Sequence, residues 1–447
     1  MPLALPFVSG AHLSIDVPWP VVLLKSQTSD ICHVLGGEVL LMLHRPMVAT
    51  SISIKLVGKS YTVWPEGIGS RGTKLYHEKT IHEQNIMLTT ETLNLSSGMH
   101  KYPFEFLMSN KLVETIEDEF AKITYYLTAS VERSGFGSKI KSRKDILLLR
   151  TEWNDQALTN NALRDTSVNI ERHLKSCDAY IQLEKTTASS GTDIAVDLTL
   201  SPLMKNVHLE SLSAVLSERR IYRLPEFHAR RNELTDQDLN LKRIIDISEF
   251  AETGEEQTVT ETDLRRALSS YYAQVPLSGS TFQRRLIFTL PNCIRTNHST
   301  TFSEMDFKHW LKLDIMISRP PTAEEVANAT EEKHIVFDRI RLDIPMTILD
   351  CRLKEDFGTL PTYQKAVMDY KLDDDDMEIK GFQCPCVVAF RKTQKKCAHP
   401  QHIPGSHHLQ DEYPAYSPPH YDRLEGIRRF EMLHSSLSSG SLSSDSS

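Results

Sequence analysis

ITYYLTASVE (residues 123–132) alternates without a break: Ile123, Tyr125, Leu127, Ala129 and Val131 share one face, and Thr124, Tyr126, Thr128, Ser130 and Glu132 share the other. A period of two is the signature of a strand with one buried and one wet face, and it is incompatible with the 3.6-residue period of a helix. The same pattern recurs in SISIKLVG, through Ile52, Ile54 and Leu56, and in TDIAVDLTL, through Ile194, Val196, Leu198 and Leu200. It recurs again in LKLDIMI, through Leu311, Leu313, Ile315 and Ile317. Repeated short strands punctuated by turns predict an all-β protein built of sandwiches. TETDLRRALSSYYAQ offers a turn or two of helix capped by Thr262, with a strand as the alternative reading.

The apolar pattern lapses in NDQALTNNALRDTS and resumes after Ser176. This predicts a β-sandwich over residues 10–155, a linker over 156–176 and a second sandwich over 177–352. Beyond that, an acidic run at Asp373 to Asp376 is followed by Cys, His, Pro and Tyr residues and a serine-rich end. Too little apolar surface is present there to offset chain entropy, so residues 353–447 are expected to form a disordered tail.

At 447 residues and 40% hydrophobic the chain can bury two cores. Its formal charge of −8 supplies no field for nucleic acid. Seven cysteines at scattered spacings do not form a disulfide framework, and no stretch approaches the roughly 18 apolar residues of a membrane span. A cytoplasmic protein with reduced thiols is the expectation. Cys384 and Cys386, with Cys397 and His399, have zinc-ligand chemistry, but Cys-x-Cys and Cys-x-His fall outside the usual spacings of structural sites. No metal and no cofactor is expected. No phosphate loop, nucleophile elbow or His-Glu-x-x-His motif is present, so an enzyme is not expected either.

Three segments, taken in order, resemble the amino-terminal domain of the α-arrestins: GEVLLMLHRPMVATSISIKLVGKSYTVW (37–64), GMHKYPFEF (98–106) and AKITYYLTASVER (121–133). The resemblance is to the fungal type. It implies two tandem arrestin-like sandwiches of immunoglobulin type, the second compatible with residues from Cys177 to Asp350. Pro103 removes a ladder donor and so belongs at a strand start or an edge, with Phe104 and Phe106 alternating into the core.

In AYSPPHYD (415–422), Pro418 and Pro419 preset a polyproline II ribbon and Tyr421 adds a ring, the shape that WW-domain grooves accept. Leu360, Pro361 and Tyr363 form a less preorganised Leu-Pro-x-Tyr variant. The resemblance implies an adaptor that presents a WW-domain HECT ubiquitin ligase to a membrane receptor or transporter, for ubiquitination and endocytic trafficking. It would be cytoplasmic and recruited peripherally to the plasma membrane and endosomes. A retromer-like coat component without ligase recruitment is the alternative on the same fold. SKIKSRKD carries Lys139, Lys141 and Lys144 beside Arg143, as ubiquitin acceptors or contacts for an acidic partner or anionic lipid. Arg219, Arg220, Arg230 and Arg231 permit the same lipid reading in the second half.

Overall fold

The computed structural model describes residues 10–25, 30–68, 73–133, 139–151, 167–247, 260–269, 271–277, 281–327, 335–353 and residue 386. They divide into two compact units, one running up to Asn154 and the other from Asp155 onward.

The first unit contains β1 (Ala11–Asp16), β2 (Val21–Leu24), β3 (Cys32–Leu43), β4 (Met47–Ile68), β5 (Thr73–Thr89), β6 (Leu93–Leu95), β7 (Gly98–Ser109), β8 (Ile116–Glu117), β9 (Ala121–Arg133) and β10 (Ile140–Arg150). One sheet runs β1-β3-β7 and the other β2-β10-β9-β4-β5, with β6 on β4 and β8 on β9. Among the described residues of this unit, β2 and β10 pair in parallel. The alternation read from the sequence sets the faces: Ile123 to Val131 on β9 and Ile52, Ile54 and Leu56 on β4 are buried, and β1 and β3 contribute Leu13, Ile15, Val39 and Leu41. Pro103 lies opposite Glu38 on β7, the outer strand of its sheet, where a missing donor leaves no partner waiting. Phe104 and Phe106 are both buried beside it.

The second unit contains β11 (Val168–His173), β12 (Cys177–Leu183), β13 (Thr187–Ser189), β14 (Asp193–Pro202), β15 (Val207–Leu224), β16 (Ala229–Asp238), β17 (Asn240–Asp246), α1 (Glu261–Ser269), β18 (Val275–Leu277), β19 (Phe282–Thr289), β20 (Thr300–Thr301), β21 (Met305–Arg319), α2 (Ala323–Ala327) and β22 (Val336–Leu349). Its sheets run β11-β12-β14-β19-β17 and β13-β22-β21-β15-β16, with β18 on β15 and β20 on β21. One core joins them, drawing Ile181, Leu198 and Phe288 from the first sheet and Leu216, Ile315 and Ile344 from the second. Both units are β-sandwiches, as the period of two requires.

Two boundaries differ from the sequence reading. The expected linker over 156–176 contains β11, which pairs antiparallel with β12, so the second sandwich starts before Cys177. Its residues are mostly exposed, and an edge strand with little buried surface carries little apolar pattern. The segment at 261–269 is a helix, and its cap is Thr260 rather than Thr262. Thr260 Oγ1 accepts from Asp263 N at 3.2 Å, while Asp263 Oδ2 accepts from the Thr260 hydroxyl at 2.7 Å. Of the stretch expected as a tail, 353–447, only Leu353 and Cys386 are among the described residues.

Candidate functional site

β10 carries the basic run of the first unit, and its alternation divides that run between two faces. Lys139, Lys141, Arg143 and Asp145 are exposed, whereas Lys144 falls on the side that leads into buried Ile146 and Leu148, opposite Leu127 of β9. The three lysines therefore do not form one patch: Lys139 and Lys141 share the outer face, and Lys144 is partly buried on the other.

On the outer face Lys139 and Arg143 have defined neighbours. Lys139 is paired with Glu132 and holds that carboxyl below its ordinary value. Arg143 lies 3.8 Å above the Tyr126 ring and also donates from Nε to Asp145 Oδ1 at 3.0 Å, a stacked and bidentate-capable arrangement that lysine could not reproduce. Further along, Lys55 pairs with Glu83 at 3.1 Å and Lys59 with Glu78. Burial raises the phenols of Tyr61 and Tyr76, whose rings pack 6.1 Å apart, so both stay neutral. Lys141, opposite Ser130, makes no ion pair among the described residues. Lys139 and Arg143 on this face are thus paired with carboxylates, while Lys141 is exposed.

Of Arg219, Arg220, Arg230 and Arg231 in the second unit, three have defined contacts within it. Arg219 stands 5.4 Å from the Trp310 ring, Arg220 donates to Thr235 Oγ1 at 3.2 Å and reaches Glu233 at 3.4 Å, and Arg231 pairs with Glu233 at 2.6 Å. Arg230 alone of the four is exposed. Arg220 and Arg231 brace the β15–β16 hairpin, and Arg219 packs toward β21.

Pro418, Pro419, Tyr421, Leu360, Pro361 and Tyr363 lie outside the described residues. No described helix is long and apolar enough to cross a membrane. One grouping of metal-type ligands occurs among the described residues, Cys293 with Cys351 and Cys386, which no spacing rule could associate.

Residues 31–152 match the family described as "Arrestin (or S-antigen), N-terminal domain". A Schizosaccharomyces pombe protein provisionally named an arrestin-related trafficking adapter is 24% identical over 432 residues, covering 85% of this chain and 59% of its own length. A second protein of that organism, similarly named, is 23% identical over 393 residues, or 79% of this chain and 72% of its own. An Aspergillus oryzae protein named a probable HECT-type ubiquitin ligase-interacting protein, creD, is 28% identical over 234 residues, or 48% of this chain and 38% of its own. The chain thus spans 59% of the length of the first of these relatives. Residues 31–152 thus match an arrestin amino-terminal domain, and with two β-sandwich units and fungal relatives of this kind the chain is similar to the α-arrestins of the fungal type.

Proposed function

We propose that this chain is an adaptor that recruits a WW-domain HECT ubiquitin ligase to membrane cargo, so that the cargo is ubiquitinated and enters endocytic trafficking. The observation that carries the reading is the pairing of arrestin-type sandwiches with Pro418, Pro419 and Tyr421 on one chain. The name of the creD relatives supports a ligase of this class. The sandwiches would hold a receptor or transporter, while Pro418 and Pro419 pack on groove aromatics and Tyr421 enters the adjacent pocket. Leu360, Pro361 and Tyr363 would add a weaker second contact, giving avidity against a ligase with several WW domains. The adaptor would act in the cytoplasm and be recruited peripherally to plasma membrane and endosomes. It has no catalytic part in this reading. Lys139 and Lys141 are the acceptor amines that the outer face of β10 presents, and Lys144 is the poorer one.

A titration of a peptide spanning residues 415–422 against a WW domain tests the recruiting motif. The prolines have given up backbone freedom before binding, so roughly micromolar affinity, about −8 kcal/mol, is within reach of a short contact. Tyr421→Ala should weaken it at least tenfold, about 1.4 kcal/mol, and His420→Ala far less. Equal losses from the two substitutions would remove Tyr421 as an anchor.

A further inference from the structure

Three thiols converge in the second unit. Cys293 leaves the turn after β19, Cys351 opens a single 3-10 turn after β22, and Cys386 comes from the chain beyond; their sulfur atoms all lie within 4.8 Å of one another. Cys351 is buried and the other two are partly buried. Two of the three positions are held firmly by their surroundings. Asn292 accepts from Arg295 N at 3.0 Å and Thr296 N at 3.1 Å, and its side chain accepts from Ile294 N at 3.1 Å, which shapes the turn around Cys293. Asp350 accepts from Arg352 N at 2.8 Å and Leu353 N at 2.9 Å, and Ser189 Oγ donates to Leu353 O at 3.1 Å, which shapes the turn at Cys351. Ser299 then fastens the first turn to β22: its N–H donates to Ile348 O at 2.6 Å and its Oγ accepts from Ile348 N at 2.9 Å.

We propose that Cys293, Cys351 and Cys386 form a thiolate site for a soft divalent cation of the zinc class. The geometry fits. Tetrahedral zinc with Zn–S bonds of about 2.3 Å separates its sulfur ligands by about 3.8 Å, which a small closing of this cluster reaches. A disulfide would use two of the three sulfurs and strand the third, whereas a thiophilic metal uses all of them. Binding releases three thiol protons to solvent and leaves the Zn(S)3 unit with one net negative charge, so affinity falls as pH is lowered. The ligands were hidden from spacing arguments because each lies on a different segment, and the Cys-x-Cys pattern that argued against zinc concerns only one of them.

Cys386 would thereby fasten the chain beyond Leu353 to the end of the second sandwich. Leu360, Pro361 and Tyr363 lie between Cys351 and Cys386 in sequence, so metal binding closes a loop around that motif and leaves Pro418, Pro419 and Tyr421 outside it. This consequence rests on the adaptor reading; the metal site does not.

The full chain, reduced and stripped with a chelator, is titrated with Zn2+ against a competing chromophoric chelator, and with Co2+ while its absorption is followed. One equivalent of zinc and a sulfur-to-cobalt charge-transfer band are expected. Cys386→Ser, at a partly exposed position, should weaken zinc at least tenfold and diminish the band, with circular dichroism unchanged; Cys32→Ser should alter neither. Zinc affinity unaffected by Cys386→Ser, or absence of the charge-transfer band, would each overturn the proposal. None of these results involves a ligase, so failure here leaves the adaptor reading standing.

Discussion

Gly58 on β4 stands directly opposite Tyr125 on β9, and the tyrosine ring occupies the space a side chain at Gly58 would need: a Cβ there would lie 2.5 Å from Tyr125 Cε1. The ring cannot yield easily, because Tyr125 is almost wholly buried and its hydroxyl donates to Val113 O at 2.8 Å. Gly58→Ala should therefore destabilise the first sandwich by about 1–3 kcal/mol through overpacking. Chemical denaturation measures it, and a Gly58→Ala/Tyr125→Leu double variant should recover part of the loss. A single variant as stable as the parent would mean that β4 and β9 can shift apart here.

A buried ion pair closes the same sandwich. Arg150, the last residue of β10, donates from Nε to Glu114 Oε2 at 2.8 Å, from Nη1 to Lys25 O at 2.6 Å and Asn110 O at 3.2 Å, and from Nη2 to Leu112 O. Glu114 is nearly inaccessible, so losing the arginine takes the paired charge from a buried carboxylate and a donor from three carbonyls. Arg150→Met should cost about 3–5 kcal/mol, while replacing both partners by apolar residues should cost less than the sum of the single losses. Additivity in that cycle would show the two groups do not act as a pair.

The second sandwich should lose stability in acid through Glu218. Burial pushes this carboxyl upward, but His309, Arg220 and the Asn297 N–H outweigh it and bring it down to about 2. Asn297 N donates to Oε1 at 3.0 Å, Thr296 Oγ1 donates to Oε2 at 3.2 Å, and His309 Nε2 lies 3.7 Å away. A carboxyl depressed below its unfolded value stabilises the fold above that unfolded value and ceases to as pH falls through the folded one. About 3 kcal/mol should thus disappear as pH drops from about 5 toward 2. Denaturation midpoints followed over that window test it, and Glu218→Gln should flatten the Glu218 contribution. An unchanged slope in Glu218→Gln would assign the acid sensitivity elsewhere.

What the sequence made legible follows from how local each signal is. β9, β14 and β21 are half-buried central strands, so Ile123 to Val131, Ile194 to Leu200 and Leu311 to Ile317 write their burial directly into the chain. β11 buries little and writes almost nothing, which is why it reads as linker. The division of Lys139 and Lys141 from Lys144 was available from the same period of two, applied to charges instead of apolar residues. The cap at Thr260 was displaced because two threonines flank Glu261 and only one finds an acidic residue three positions on. Cys293, Cys351 and Cys386 are joined only by tertiary folding, and no local pattern can announce that.

Ligase recruitment through the two tyrosine motifs is tested most directly by co-purification of the full chain from cells, read for HECT ubiquitin ligases together with ubiquitination of the chain itself. Tyr421→Ala should reduce both, and adding Tyr363→Ala should reduce them further, because the second contact acts at high effective concentration once the first is made. If the double variant retains the ligase and the ubiquitin of the parent, these motifs do not recruit a ligase, and the adaptor account of the two sandwiches is contradicted.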